Sequence, residues 1–239
     1  MSRPRYGDTW VYESLVGALP GGWTPAWVAT GLQFLLFEAA VVGLGLYYGL
    51  RAGAVAGTAA VVVATAGSLA MLYIGNLVRE TAVPAAYRRL LFGSGVEVVL
   101  GVVAFVALLT YLFGVEPGAG RPTLLTALLG ERPPPPALFV TLLILWDLCY
   151  RIGTGWWASV CALWRSLRCD LRPAHRRLRR ADLATAGFGL LQLLVVPFVA
   201  DRPVLLVAVL GHVAAVVLVT AVSLVVLTRR TAKSSDATR

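Results

Sequence analysis

The chain has 239 residues, of which 58% are hydrophobic and only 14% are charged, so no stretch is polar enough to form a sizeable water-soluble domain. A net charge of +9 would suggest nucleic-acid binding in a soluble protein, but the positive charges here fall in short segments between apolar blocks. The composition therefore predicts one membrane domain and argues against nucleic acid as a partner.

Residues 1–26 precede the first apolar block and form a predicted N-terminal arm. Asp8 and Thr9 are residue types that cap helix N-termini, and Pro20 is typical of a helix end. Trp10 and the aliphatic residues that follow it favour a helix lying on a membrane surface. We therefore expect a short interfacial helix in this arm.

Six apolar blocks follow, and each is long enough to cross a bilayer, because about 20 helical residues span a hydrocarbon core of about 30 Å. The blocks cover residues 27–50, 53–78, 90–114, 137–163, 183–200 and 204–228. The sequence thus predicts an all-α fold, a polytopic transmembrane helix bundle with six spans over residues 27–228.

Local sequence predicts three further features, two in the connection between the third and fourth blocks and one within the fifth block. Between the third and fourth blocks, residues 123–129 favour a short helix, and the run Pro133 to Pro136 favours a stiff extended spacer. Pro197 lies near the end of the fifth block, where it is expected to kink the helix.

The distribution of basic residues predicts the orientation. Sixteen of the 21 Lys and Arg residues fall in the arm, the second connection, the fourth connection and the tail, which share one side of the membrane if the chain crosses six times. The positive-inside rule places that side in the cytoplasm. We therefore predict a multi-pass protein of the cell membrane with a cytoplasmic arm and a basic cytoplasmic tail over residues 229–239.

The fourth connection, residues 165–180, is the most basic segment. One interpretation is that it binds anionic lipid headgroups, because each basic residue near an anionic membrane surface contributes about 1 kcal/mol of binding free energy. A topology signal explains the same residues without a ligand and is the preferred interpretation. Pro173 is expected to begin a short surface helix there. The arginines concerned are Arg165, Arg168, Arg172, Arg176, Arg177, Arg179 and Arg180.

Four charged residues lie within the predicted spans, where a charge near the bilayer centre costs about 2.5 to 3.5 kcal/mol. Asp147 and Arg151 are four residues apart and so share one face of the fourth span. Glu38 and Glu97 lie about 16 Å and about 10 Å from the cytoplasmic ends of their own spans, and Arg151 about 18 Å, by rise per residue. The sequence predicts a polar cluster between the first, third and fourth spans, in which Arg151 bridges Asp147 and either Glu38 or Glu97.

This cluster has two interpretations. It locks the packing of the helices, which makes the protein a non-enzymatic membrane protein with a structural or accessory role. Alternatively, the four residues line the hydrated path of a small transporter or channel-like protein, since ionisable groups inside a membrane usually mark function. Three carboxyl groups share one guanidinium, so at least one is expected to be protonated or to meet water.

The sequence predicts no catalytic, metal or cofactor site. His212 is a secondary candidate polar residue in the sixth span, where hydrogen bonding to another helix is its expected role. Thr154, beside two glycines, lies about 25 Å from the outer end of its span, whereas His212 lies about 12 Å from the outer end of its own, so they do not form a nucleophile and base. No Cys and His spacing typical of metal binding occurs.

Three stretches carry a resemblance to a known family. They are RYGDTWVYESLVGALP at 5–20, YRRLLFGSGVEVVLG at 87–101 and LWDLCYRIGTGWWASV at 145–160. The chain resembles an uncharacterised family of multi-pass membrane proteins from halophilic archaea. That resemblance implies a cell-membrane location and a fold of six helices or close to it, and it brings no activity and no site residue.

Overall fold

The computed structural model describes residues 9–13, 25–169 and 175–236, with side chains as far as residue 230. The described ranges contain helices and no strand. Six helical segments are long and apolar enough to cross a membrane, which confirms the all-α prediction. They are Ala26–Tyr47, Arg51–Arg79, Ala85–Ala119, Pro135–Arg168, His175–Val199 and Pro203–Arg230, named the first to sixth spans.

The individual helices subdivide two of these spans. They are α1 (Ala26–Tyr47), α2 (Arg51–Arg79), α3 (Ala85–Phe92), α4 (Val96–Thr110), α5 (Leu124–Leu129), α6 (Pro135–Arg168), α7 (His175–Leu191), α8 (Val196–Val199) and α9 (Pro203–Asp236). The third span therefore consists of α3 and α4 followed by short π and 3₁₀ turns, and the fifth consists of α7, a 3₁₀ turn and α8.

Both interruptions have a local cause. Gly95, between α3 and α4, has a φ of +67°, a left-handed conformation that glycine adopts without steric cost. In the fifth span, Pro197 has no N–H to continue the helical hydrogen bonds, and α7 gives way to the 3₁₀ turn Gln192–Val195 just before it. The helix therefore changes form just before Pro197, where a kink is predicted.

Helix starts differ from the prediction at two places. Helix α6 begins within the proline run, because Pro135 occupies the first helical turn, where proline's missing N–H costs nothing. Helix α7 begins at His175 and carries Arg176, Arg177, Arg179 and Arg180 exposed, as predicted for the basic connection, but it continues without a break into the fifth span instead of ending as a short surface helix. Leu178 explains the early start, since it is fully buried in the core.

The short helix between the third and fourth spans is confirmed. Thr123 caps α5, and its side-chain oxygen accepts a hydrogen bond from the Thr126 N–H at 3.1 Å. Helix α5 packs against α2. Its residues Leu125 and Leu129 are buried in a cluster at one end of the bundle, which is called here the proline end.

The fourth span lies at the centre of the bundle and contacts all five other spans. Backbones approach closely where it meets the third span: a Cβ at Gly153 would lie 3.0 Å from the backbone nitrogen of Gly101. The end of the bundle opposite the proline end is called here the basic end. It holds the C-terminus of α2, helix α3 and the first turn of α7 around a core that includes Trp10, Phe92 and Leu178.

Candidate functional site

Arg151 lies inside the bundle with no exposed surface and forms an ion pair with Asp147 one helical turn away. The Arg151 Nη2 atom is 2.9 Å from Asp147 Oδ1, and 16% of the Asp147 side chain remains exposed. A buried guanidinium needs such a partner, because an unpaired charge in an apolar interior is very costly.

Two further residues close this pair into a ring. Gln33 of the first span donates from Nε2 to Asp147 Oδ2 at 3.1 Å. The Tyr12 hydroxyl donates to Gln33 Oε1, and the Tyr12 aromatic ring covers the guanidinium, with its centroid 3.9 Å from Arg151 Cζ. Tyr12, Gln33, Asp147 and Arg151 are called here the Arg151 ring. It joins residues 9–13, the first span and the fourth span.

The other neighbours of Arg151 are weaker partners. Its Nη1 donates to Met71 Sδ at 3.5 Å, and Arg151 Cζ lies 5.4 Å from the centroid of the Tyr150 ring. Its Nε atom has no hydrogen-bond partner in the part of the chain that the structure describes. One carboxylate and two aromatic rings therefore balance this charge.

Glu38 does not contact Arg151, so its predicted place in the cluster is wrong. Its Oε1 atom accepts a hydrogen bond from Thr58 Oγ1 at 2.7 Å, which joins the first span to the second. Similar depth along the bundle does not bring two side chains together, because depth does not determine the direction in which a helix face points.

Glu97 also forms no ion pair with Arg151, which corrects the second predicted bridge. The Glu97 side chain is fully buried in the first turn of α4, and neither carboxyl oxygen has a hydrogen-bond partner among the described residues. The break at Gly93 to Gly95 makes residue 97 the start of a new helix, where the N-terminal dipole favours an acidic residue. The depth estimate had assumed one continuous helix.

A small cavity adjoins the Arg151 ring on the side facing the proline end. It has room for about one water molecule. Gln33, Thr65 and Asp147 give it polar walls, and the remaining walls are apolar. The apolar lining residues are Phe37, Val61, Ala64 and Ile144.

Residues 9–13 are inserted into the basic end rather than lying on the surface. Trp10 is fully buried, donates from Nε1 to the Met71 carbonyl at 3.1 Å and packs edge-to-face on Phe92 at 4.9 Å between ring centroids. Glu13 accepts hydrogen bonds from both terminal nitrogens of Arg79 at 2.9 and 3.1 Å. Residues 11–13 are helical, and the rest of the predicted interfacial helix lies outside the described residues, so that helix stays a prediction.

A second buried ion pair ties the spans together at the basic end, and sequence reasoning missed it. Arg165 of the fourth span has no exposed surface, and its Nη2 lies 2.8 Å from both carboxyl oxygens of Asp182 in the fifth span. Its Nη1 donates to the Tyr87 hydroxyl at 3.2 Å. Ser223 of the sixth span donates to Asp182 Oδ2 at 3.1 Å and lies 2.9 Å from Ser166 Oγ.

This pair removes Arg165 from the predicted headgroup site, since its guanidinium cannot reach a lipid. Arg172 lies outside the described residues. The other arginines of that prediction are exposed: Arg168, Arg176, Arg177, Arg179 and Arg180. Arg177 donates to the Glu80 carbonyl at 2.5 Å, which brings the basic turn of α7 against the connection between the second and third spans.

A third buried pair lies at the proline end and was also missed. Arg202 Nε is 2.8 Å from Glu116 Oε1, and both side chains are almost completely buried. Glu116 Oε2 accepts from the Leu124 N–H at 3.0 Å, so the pair fastens the turn between the fifth and sixth spans to the connection containing α5. One sequence signal was available: Glu116 and Arg202 each follow an apolar block on the same predicted side.

His212 and Thr154 are not brought together. The His212 ring lies beside Trp156 at 6.3 Å between ring centroids, and its Nε2 atom has no hydrogen-bond partner in the described part of the chain. Thr154 is buried and donates to the Tyr150 carbonyl of its own helix at 2.8 Å. Within the described residues no group of three or more His, Cys, Asp or Glu side chains is placed to hold a metal ion.

Comparison with known proteins gives a family and no activity. No curated protein and no solved structure matches the chain. The model of a family of unknown function, DUF7530, matches residues 5–223, which is most of the chain and includes all four members of the Arg151 ring. The chain therefore belongs to the DUF7530 family of unknown function.

Proposed function

We propose that this protein is a non-enzymatic integral membrane protein with a structural or accessory role, in which buried arginine–carboxylate pairs fix the arrangement of the spans. The observation that carries the proposal is the Arg151 ring. It joins three separate segments of the chain around a charge that would be costly to leave unpaired.

The other two buried pairs support the same role. Arg165 with Asp182 joins the fourth and fifth spans, and Arg202 with Glu116 joins the turn before the sixth span to the end of the third span. Each of these two pairs joins different elements of the fold, and each arginine has a carboxylate within 3 Å. Paired buried charges of this kind set specific contacts rather than adding much net stability.

The proposal is tested with a double-mutant cycle on Arg151 and Asp147. Asp147→Leu leaves a fully buried guanidinium without its counter-charge and is expected to destabilise the bundle by about 3 to 5 kcal/mol. The double variant Asp147→Leu, Arg151→Met removes both charges and is expected to recover most of that loss. The measurement is the thermal unfolding temperature of the purified protein in detergent.

Arg89→Met is the matched control, because Arg89 is exposed on α3 and its loss should leave the unfolding temperature unchanged. An Asp147→Leu variant as stable as the parent would remove the basis of the structural role. Failure of the double variant to recover would show that the two charges do not act as a pair.

A second candidate function is that of a small transporter or channel-like protein. The cavity beside Asp147 and Gln33 favours it, as does the buried carboxyl group of Glu97. Purified protein in proteoliposomes is then expected to pass protons or a common ion in a pH-dependent way, and Glu38→Gln or Glu97→Gln is expected to abolish that flux. Flux equal to that of empty vesicles would exclude this function.

The same proposal includes location and lipid partners. We propose that the protein lies in the cell membrane with its basic end in the cytoplasm, supported by the family resemblance and the positive-inside rule. The exposed arginines of the basic end, Arg168, Arg176, Arg177, Arg179 and Arg180, are proposed to contact anionic headgroups, and their exposure supports this. Binding to vesicles that contain phosphatidylglycerol, compared with phosphatidylcholine alone, tests the lipid contact.

A further inference from the structure

We propose that residues 9–13 are a lid that closes an entrance from the basic end to the cavity between the first, second and fourth spans. The inference goes beyond the structural role proposed above, because a bundle held by ion pairs needs no movable part. Its test does not measure stability, so either proposal can fail without the other.

The position of residues 9–13 relative to the cavity is the first observation. Their contacts, Met71, Arg79 and Phe92, all lie at or near the basic end. The cavity residues Val61 and Ile144 lie farther toward the proline end on the same spans. Tyr12 sits between the two regions, since it covers Arg151 and binds Gln33, which lines the cavity.

What the segment covers is the second observation. Beneath Tyr12 lies the guanidinium of Arg151, whose Nε has no hydrogen-bond partner among the described residues. Next to it lies the carboxylate of Asp147, which is partly exposed. Gln33, Thr65 and Asp147 give the cavity polar walls within otherwise apolar spans. If Tyr12 moves away, the charged ring and this cavity are no longer separated from the basic end.

The third observation concerns how the segment is held. It is not part of any span, and the first, second, fourth and fifth spans pack on one another through their own contacts. Withdrawal therefore breaks the contacts of residues 9–13 but none of the contacts between spans, which makes it a local opening. The outermost attachment is the pair between Glu13 and Arg79, which remains partly exposed to solvent.

Access to the cavity is measured with a cysteine at position 65. The reporter protein carries Thr65→Cys and Cys169→Ser, and it retains Cys149 and Cys161, which are buried. It is placed in vesicles with the basic end outward and treated with a maleimide that does not cross membranes. The rate of modification of the peptide containing residue 65 is followed by mass spectrometry.

We expect slow modification in the reporter protein and about tenfold faster modification after Glu13→Gln, which removes a charge-assisted pair that holds the segment closed. Tyr12→Phe, which removes only the bond to Gln33, is expected to increase the rate by a smaller factor. Trp10→Ala, which removes the buried anchor, is expected to give the largest increase. Cys161 reports on folding and is expected to stay unmodified in each variant.

Two results would overturn the lid. One is a residue 65 that reacts as slowly in all three variants as it does in the reporter protein. The other is a residue 65 that reacts rapidly in the reporter protein and equally fast in every variant, because the cavity would then open by another route. If Trp10→Ala also exposes Cys161, the milder Glu13→Gln and Tyr12→Phe variants decide the question.

Discussion

At the scale of single residues, the buried arginines differ in how completely their donors are used. Arg165 meets both oxygens of Asp182 and the Tyr87 hydroxyl, whereas Arg151 has one carboxylate, a thioether and two aromatic faces. The first arrangement fixes a geometry. The second leaves an N–H donor of Arg151 without a partner beside a cavity. For that reason the Arg151 ring is the better candidate for a site of conformational change.

The contacts of Arg165 lead to a prediction about Arg165→Lys. Lysine keeps the charge, but its single ammonium cannot reach both Asp182 and Tyr87 as the guanidinium does. We expect a loss of about 1 to 3 kcal/mol, measured as a lower unfolding temperature in detergent. Arg168→Lys, on the exposed last turn of the same helix, is the control and should have no effect. Equal unfolding temperatures for the two variants would contradict the prediction.

At the scale of elements, the third and fourth spans approach each other closely through glycines. Gly101 and Gly153 meet backbone to backbone, and neither helix can yield without moving the whole interface. One face of the first span makes no such contact, because its large apolar side chains, such as Leu32 and Leu46, are mostly exposed, as expected for a surface facing lipid.

This contrast predicts opposite outcomes for two glycine substitutions. A Cβ at Gly153 would lie 3.0 Å from the Gly101 nitrogen, so Gly153→Ala is expected to cost about 1 to 3 kcal/mol. A Cβ at Gly31 would meet nothing within 4 Å, and Gly31→Ala is expected to be neutral or slightly stabilising, since alanine favours the helix. Thermal unfolding of both variants checks the pair, and a Gly153→Ala variant as stable as Gly31→Ala would refute it.

The break in the third span gives a separate prediction. Gly95 has a positive φ and open space around its Cα, so Gly95→Ala changes only the backbone cost, which is about 1 to 2 kcal/mol. Gly114 also has open space, and its φ is not positive, so Gly114→Ala is the matched control. The expected result is a lower unfolding temperature for the first variant alone. If both variants unfold at the temperature of the parent, the left-handed turn is not required.

At the scale of the whole molecule, the number of spans can be predicted from the sequence, but the contacts between the spans cannot. Asp147 and Arg151 lie four residues apart on one helix, so a local rule relates them. The other two pairs, Arg165 with Asp182 and Arg202 with Glu116, form only after helices have packed. Predicting them requires the rotation of each helix about its own axis, which changes by about 100° per residue. The sequence does not give this rotation where a helix is interrupted. The break at Gly95, for example, changes the direction in which every later side chain of the third span points.

Orientation is the whole-molecule property that the basic residues predict. After Cys169→Ser, a cysteine at exposed Arg89 is expected to react with an impermeant thiol reagent only when the cytoplasmic side faces outward. A cysteine at Glu131, exposed in the connection before α6, is expected to react only from the opposite side. Labelling of right-side-out and inverted vesicles checks the prediction, and the reverse pattern would place the basic end outside the cell.

The central place of the fourth span also determines when this bundle can assemble. A ribosome synthesises the chain in the direction from N-terminus to C-terminus. The element that contacts all of the first three spans is α6, which is synthesised after them. Tyr12 can contact Arg151 of the Arg151 ring only once α6 is present. Residues 9–13 are thus made long before the span on which Tyr12 packs. During biogenesis Tyr12 therefore cannot reach its final position until more than half of the chain has been synthesised.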